Sequence, residues 1–187
     1  MTKPAFISLI AATLAVLFPT AASAGSRVAQ AGVISSPKGF GISLGTRQND
    51  RHIYNTLDLT ADLEGILRGT ENTPGIKLSY LHENILKSGT IRDDVACNFY
   101  VGGGVSAGYV KDHGPSDRNH GAMLGLAAGV GVIFIFPGHI DIAIGFTGEF
   151  GLHLRKDERY GNLDLSWYEN GVLKAPIPQI TLYYRFQ

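Results

Sequence analysis

The sequence predicts an all-β fold, an eight-stranded antiparallel up-and-down transmembrane β-barrel. The first observation is the segment from His139 to Arg155, in which apolar side chains alternate with polar or very small ones. Successive side chains of a strand point to opposite faces, so this segment has one apolar and one polar face. The same alternation recurs in seven further segments, and turn-forming residues separate them. Regular spacing of this kind favours a meander of hairpins that closes into a barrel.

The alternating segments place Ile, Leu, Val or aromatic residues in one phase and Gly, Ser, Thr or charged residues in the other. They cover residues 39–45, 53–67, 76–83, 98–109, 124–136, 139–155, 162–168 and 179–186. The connections, rich in Gly, Pro, Asn and Asp, are 47–51, 69–74, 88–94, 112–119, 137–138, 156–161 and 169–171. Leu63 to Arg68 has good helical propensity, but its alternation indicates a strand, so no helix is predicted.

The first 24 residues have the features of a secretory signal peptide. Lys3 gives a positive start, an apolar run follows over residues 5–18, and Ala22-Ser23-Ala24 forms a small-residue cleavage site. The run is shorter than the roughly 20 apolar residues that a membrane-spanning helix needs. No later run is longer, so we expect an exported chain without a transmembrane helix.

The rest of the chain forms a single domain. Residues 25–36 are an N-terminal extension or a first strand, and residues 37–187 form the barrel. The 16 basic and 16 acidic residues balance, which leaves no basic surface for nucleic acid. Cys97 is the only cysteine, which excludes an internal disulfide. Because no metal-binding cluster or phosphate-binding loop is recognisable, we predict no catalytic residue, metal ligand or cofactor.

The direction of the apolar face decides between two kinds of barrel. A soluble, lipocalin-like barrel in the periplasm would point its apolar phase inward. In the segments 98–109 and 124–136, however, the polar phase is mostly Gly and Ala, which suits a narrow lumen better than a water-facing surface. A Lys or Arg facing lipid at mid-bilayer costs about 2–4 kcal/mol, and the apolar phases of the clearest segments carry none. A lipid-facing apolar phase is therefore favoured, and the soluble barrel stays an alternative.

The last residues, from Leu182 to Gln187, carry a resemblance. Tyr184 and Phe186 in this amphipathic segment resemble the C-terminal aromatic signature of bacterial outer-membrane proteins. With the export signal and the eight segments, residues 37–187 resemble small eight-stranded outer-membrane barrels of the OmpA/OmpX type. The resemblance implies residence in the outer membrane, contact with its lipid, and recognition of Tyr184 and Phe186 by the barrel assembly machinery. It identifies no extracellular partner.

The polar phase collects charged residues that we expect to pair inside a closed lumen. Buried charges must be paired and hydrogen-bonded, or each costs several kcal/mol. In particular, we expect Glu149 to pair with Arg155 or Arg185. The candidates are Asp58, Asp62, Glu64, Lys77, Glu83, Asp141, Glu149, His153, Arg155, Asp164 and Arg185.

Other functions stay open at this point. A narrow channel for ions or small solutes would need gaps between these side chains. A lipid-modifying enzyme would need a Ser paired with a His, and no such spaced motif surrounds His153. The orientation is open too. Residues 137–138 are either an outer turn or a periplasmic one, and the second arrangement requires a first strand within residues 26–36.

Overall fold

Nine strands and one helical turn make up almost all of the chain that the structure describes. The computed structural model describes residues 27–48, 52–67, 74–92, 94–111, 120–156, 162–168 and 177–186. The strands are β1 (Arg27–Ser36), β2 (Gly39–Gln48), β3 (Ile53–Asp62), β4 (Gly75–Arg92), β5 (Val95–Lys111), β6 (His120–Ile135), β7 (Ile140–Lys156), β8 (Leu163–Trp167) and β9 (Ile177–Phe186), and the helical turn α1 is Glu64–Leu67. The predicted signal peptide, residues 1–24, lies outside the described residues.

The strands close into a ring with eight positions. Each strand from β1 to β7 pairs with the next one in the chain, and β9 pairs with both β7 and β1. β8 and β9 both run against β7, β8 along its last residues and β9 along its first. They therefore share the eighth position, separated by residues 168–176. The predicted eight-stranded antiparallel up-and-down barrel is confirmed.

The first strand of the ring is β1, which lies in the range that the sequence left as an extension or a strand. It pairs with β2 along its whole length and with β9 from Ala29 to Ser35. The eight alternating segments of the sequence thus do not correspond one to one with the eight positions. One position comes from β1, and another is divided between two segments.

The strand predicted over Leu63 to Arg68 is wrong for Leu63 to Leu67, and Arg68 lies outside the described residues. β3 ends at Asp62, and the helical turn α1 follows, with a hydrogen bond of 2.8 Å from the amide of Leu67 to the carbonyl of Leu63. Asp62 pairs with Gly39 and Gly75, the end residues of the two neighbouring strands. The amide of Leu63 still donates to the carbonyl of Lys38, at 2.7 Å. Beyond it no described strand runs alongside the chain, so the local helical bond satisfies the backbone and helical propensity prevails.

Parts of two predicted connections, 47–51 and 88–94, belong to strands instead. Residues 88–92 continue β4, which pairs with β5 as far as Arg92 through two register shifts. Likewise, Arg47 and Gln48 lie in β2, paired with β1 and β3. In both places a neighbouring strand supplies backbone hydrogen bonds that outweigh the turn-forming composition on which the prediction relied.

The wall of the barrel has an apolar outer face and a polar inner face. The outer side chains include Val33, Phe40, Ile42, Leu78, Val105, Leu126, Ile144, Phe146, Phe150 and Leu182, each more than a third exposed. Ser43, Thr56, Asp58, Ser106, Glu149 and Thr181 are buried on the inner face. The two sets alternate along most of the wall, as the period of two requires. In β4 the outer phase also carries the exposed polar residues His82 and Asn84, and all residues from Leu86 to Ile91 are exposed.

None of the helices in the described ranges is long and apolar enough to cross a membrane.

Candidate functional site: the barrel lumen

The lumen is filled by aromatic and aliphatic side chains at the end where β1 starts and β9 finishes. Tyr54, Tyr100 and Tyr183 form a buried cluster with Ile133 and Ala143. A Cβ atom added at Gly131 would lie 2.5 Å from the hydroxyl oxygen of Tyr100, so the large ring is accommodated because that position has no side chain. This cluster, called the tyrosine plug below, leaves little space between the strands.

Charged side chains close the same end beside the tyrosine plug. Asp141 is fully buried, and its carboxylate oxygens lie 3.7 Å from Nη1 of Arg47 and 3.0 Å from Nε of Arg185. Nη2 of Arg185 also donates to the backbone carbonyls of Phe136 and Gly138, at 2.6 Å each. The arginine therefore ties the end of β9 to the turn between β6 and β7.

Two buried carboxylates occupy the middle of the lumen. The hydroxyl of Ser43 donates to Asp58 at 2.5 Å and lies 2.8 Å from the hydroxyl of Tyr183. Glu83 is 6% exposed, and no described side chain forms a hydrogen bond or ion pair with it. The middle layer thus holds acidic groups without the arginines that are present at the end of the lumen.

A third carboxylate, that of Glu149, is paired with a lysine. Nζ of Lys77 lies 2.9 Å from Oε2 of Glu149, and the hydroxyl of Ser79 donates to Oε1 at 3.4 Å. The expectation that Glu149 pairs with Arg155 or Arg185 is wrong. β4 and β7 are not neighbours in the ring, so this ion pair crosses the lumen and depends on barrel closure, which strand alternation cannot reveal.

The opposite end of the lumen holds His153 and a more exposed ion pair. His153 is fully buried, with Nε2 3.1 Å from the carbonyl of Val110 and its ring tilted against that of Tyr168. Nη2 of Arg155 lies 2.7 Å from Oδ2 of Asp164, and both side chains are partly exposed. These groups lie on β7 and on the β8 side of the ring.

Ser166 stands directly opposite His153 in the ladder between β7 and β8. Nδ1 of His153 and the hydroxyl of Ser166 are both buried and have no hydrogen-bond partner among the described residues. No hydrogen bond joins the two side chains in this part of the chain, so they do not form a serine–histidine pair of the kind that acyl transfer uses.

Small cavities remain between the described lumen side chains. One of them, called the upper cavity below, has a volume of about 50 Å³ and is bordered by Asp58, Asp62, Lys77 and Glu149 among others. A second one, called the lower cavity below, has a volume of about 20 Å³, lies against the tyrosine plug and is bordered by Glu83, Asp58 and Gln30 among others. A water molecule needs about 10–15 Å³ of such volume, so the two cavities have room for only a few waters.

The structure brings most of the predicted lumen residues to the inner face. Ion pairs join Asp141 with Arg185, Lys77 with Glu149, and Arg155 with Asp164. Asp62 borders the upper cavity, whereas Glu64 begins α1 and its side chain lies outside the described part. As a result, the residues form separate groups at different depths of the barrel.

Several lumen residues were not singled out from the sequence. Tyr54 and Tyr183 fall in the polar phase of their strands, and their alternation could have identified them as inward-facing. Arg47 continues the inner phase of Ser43 and Gly45, but it was assigned to a connection. Gln30 lies on β1, for which no alternation was described. Alternation could therefore have identified Tyr54, Tyr183 and Arg47 as inward-facing, but it gave only a weak indication for Gln30.

Tyr184 and Phe186, the predicted assembly signal, lie on the outer face of β9. Their rings contact each other edge to face at 5.4 Å, and the ring of His139 stacks on Tyr184 at 5.3 Å. Both aromatic residues are about half exposed, at 48% and 51%. Recognition of this pair by an assembly factor stays a prediction.

No protein-family model matches the chain, and no curated protein matches it either. Solved structures do match. The N-terminal β-barrel domain of Pseudomonas aeruginosa OprF superposes with a TM-score of 0.55 at 12% identity, covering 87% of this chain and 98% of that domain. A major outer membrane protein from Thermus thermophilus gives a TM-score of 0.50 at 16% identity, covering 88% of this chain and 100% of that one. The chain therefore has the fold of outer-membrane β-barrels.

Proposed function

We propose that the protein is an integral outer-membrane barrel with a closed lumen and a structural or surface-interaction role. The observation that carries this proposal is the outer face of the wall. Apolar side chains such as Phe40, Leu126 and Ile144 are exposed around the ring, while a set of charged side chains is buried inside, including those of Arg47, Asp58, Asp141 and Glu149. In water this arrangement would expose a large apolar surface, and lipid removes that cost.

The lengths of the connections support one orientation in the membrane. At the end that carries both described termini, the connections are residues 49–52, 93–94 and 136–139. At the other end they are the two-residue turn 37–38 and longer connections such as residues 63–74 and 112–119. Outer-membrane barrels have short periplasmic turns and longer extracellular loops, so we place the termini in the periplasm. This corresponds to the arrangement in which residues 137–138 form a periplasmic turn.

A structural role agrees better with the lumen than a channel does. The tyrosine plug and the Arg47–Asp141–Arg185 group fill one end, and the cavities of about 50 and 20 Å³ leave room for a few waters. Eight-stranded barrels are normally filled by their own side chains. We therefore expect no steady ion current when the folded protein is inserted into planar bilayers. Regular single-channel currents would favour a channel instead.

The decisive experiment is membrane fractionation combined with gel electrophoresis of boiled and unboiled samples. We expect the protein in the outer-membrane fraction, with a compact unboiled band that shifts on boiling because the hydrogen-bonded ring resists detergent until it is heated. A protein recovered in the soluble periplasmic fraction would contradict the proposal and would favour the lipocalin-like alternative.

The role of the surface can be tested without disturbing the barrel. Shortening the connection 112–119 to a two-residue turn should leave the heat-shifted band unchanged. Loss of cell adhesion or of partner capture in that variant would assign a binding role to this end. Unchanged behaviour in these assays would favour a structural role. A changed lipid modification pattern in a deletion strain would favour an enzyme.

A further inference from the structure

The lower cavity collects oxygen atoms around a buried, unpaired carboxylate. Its lining includes the side chains of Glu83, Asp58, Gln30, Thr56 and Thr181. Glu83 is 6% exposed, and within the described part of the chain it has no hydrogen bond and no ion pair. A carboxylate removed from water without a partner is strongly unfavourable, so its charge must be neutralised, either by a proton or by a bound cation.

The nearest carboxylate increases this need. Asp58 borders the same cavity and accepts a hydrogen bond from the neutral hydroxyl of Ser43. The ammonium group of Lys77 is close enough to interact electrostatically with Asp58, but its ion pair, at 2.9 Å, is with Glu149. Among the described residues, neither Asp58 nor Glu83 forms an ion pair, and both face one small space.

Gln30 provides an independent indication that a ligand is missing. Its side chain is 3% exposed, and its Oε1 atom has no hydrogen-bond donor in the described part of the chain. Gln30 borders the lower cavity together with Glu83. Buried acceptors are normally satisfied, and this one adds a neutral oxygen ligand beside the two carboxylates.

We propose that the lower cavity binds one hard cation of the size of Na⁺ or Ca²⁺ through Glu83, Asp58 and Gln30. Hard cations prefer carboxylate, amide and hydroxyl oxygens, which are the polar groups that these residues offer. The volume of about 20 Å³ has room for one water-sized species. Mg²⁺ fits poorly, because it requires near-octahedral geometry and usually retains several waters.

The neutral oxygens matter because the acidic residues are few. Nowhere in the described residues do three or more His, Cys, Asp or Glu side chains come together in a group able to hold a metal. Two carboxylates alone would coordinate Ca²⁺ incompletely, since it takes about 6–8 oxygen ligands. The amide of Gln30 and the hydroxyls of Thr56 and Thr181 supply further oxygens on the same cavity wall.

The test is refolding of the urea-unfolded protein into phosphatidylcholine bilayers that contain no lipopolysaccharide. The cation is present throughout refolding, so that slow entry into the folded barrel does not limit binding. Samples refolded with EDTA and choline chloride are compared with samples refolded in NaCl or in CaCl₂ at matched ionic strength. We expect one of the two cations to raise the midpoint of thermal unfolding by about 5 °C or more.

Glu83→Gln tests whether the response belongs to this cavity. The substitution removes the uncompensated charge, so in EDTA the variant should unfold at the same temperature as the wild type or higher, and neither cation should raise that temperature. Gln30→Met keeps both carboxylates, and we expect it to shift the midpoint of the cation titration at least tenfold upward. Asp164→Asn, a carboxylate outside this cavity, should keep the wild-type response.

The outcomes separate clearly. A sodium-specific response indicates a monovalent site, and a calcium-specific response with about one bound calcium per chain by elemental analysis indicates a divalent one. Equal midpoints in choline, sodium and calcium salts would overturn the proposal, as would a Glu83→Gln variant that retains the response. This result does not depend on where the barrel resides in the cell, so it is independent of the fractionation experiment.

Discussion

On strand β7, Asp141 and His153 are completely buried in the lumen, whereas Ile144 and Phe150 on the opposite face are 46% and 51% exposed. The inner face of this strand is therefore polar and its outer face apolar, which is the reverse of the arrangement in a water-soluble protein. The inner surface depends on hydrogen bonds and ion pairs. The outer side chains include stacked aromatic pairs such as Phe150 and Trp167, and their exposed surfaces face the surroundings of the barrel.

Glycines differ between the two faces in the same way. A Cβ atom at Gly104, on the inner face of β5, would overlap the carbonyl oxygen of Tyr80. At Gly103, on the outer face, the nearest atom would be a carbonyl oxygen at 3.7 Å, which is an ordinary contact. Inside the barrel the space available to a side chain is therefore limited by neighbouring atoms. On the outer face the choice of side chain is limited by the medium that surrounds the barrel. Substitutions on the two faces should differ accordingly.

Asp141→Asn should cause the largest loss of stability. Without the carboxylate, the guanidinium groups of Arg47 and Arg185 remain partly or fully buried without a counter-charge. Removing one member of a buried ion pair costs about 3–5 kcal/mol. The measurement is urea unfolding in bilayers. Asp164→Asn is the control, because its pair with Arg155 is partly exposed and should contribute about 0–1 kcal/mol. Equal losses in both variants would contradict the special role of the Asp141 group.

Ile144→Arg tests the outer face. Placing a charge among lipid tails should cost about 2–4 kcal/mol and should reduce the heat-shifted band on gels. Ile144→Phe, which keeps the position apolar, should assemble normally. If the arginine variant inserts as well as the wild type, the outer face does not contact lipid.

Lys77→Met should be more destabilising than Glu149→Gln. Loss of the lysine strands a carboxylate that is 1% exposed, whereas loss of the carboxylate leaves a lysine that is 19% exposed and can reach water. We expect a difference of about 1–2 kcal/mol, measured by urea unfolding. The double variant should recover part of the loss, and purely additive effects would mean that the two side chains do not interact.

Gly104→Ala and Gly103→Ala give the finest comparison, because the two glycines are adjacent in sequence. The inner substitution forces the backbone of β4 and β5 apart and should cost about 1–3 kcal/mol. The outer substitution removes flexibility from the unfolded chain without a clash and should be neutral or stabilising by about 0.5–1 kcal/mol. A similar loss in both variants would show that these glycines are needed for another reason.

The faces of the strands could be read from the sequence because alternation is a local property. Ile144 and Glu149 were assigned to the correct faces from β7 alone. The partner of Glu149 could not be predicted, since Lys77 lies on a strand that does not neighbour β7. Such pairings depend on register and closure, which are determined by all strands together.

Secondary-structure predictions from local sequence were also wrong where neighbouring strands begin or end. Residues 88–92 have the composition of a turn, yet β5 keeps them in β4. The residues after Asp62 alternate as a strand does, yet the neighbouring strands end there and a helical turn forms. The unpaired Oε1 atom of Gln30 was not accessible to sequence reasoning either, because it depends on which groups surround it.

The pairing of β1 with β9 has a consequence for the order of events in folding. Ala29 pairs with Phe186, so the ring is completed by segments from opposite ends of the chain. Neighbouring hairpins can form one after another, but until β9 arrives both β1 and β7 present open edges that can template aggregation. A chain that lacks β9 would keep two edges without backbone partners, and we expect it to aggregate more readily than the full chain.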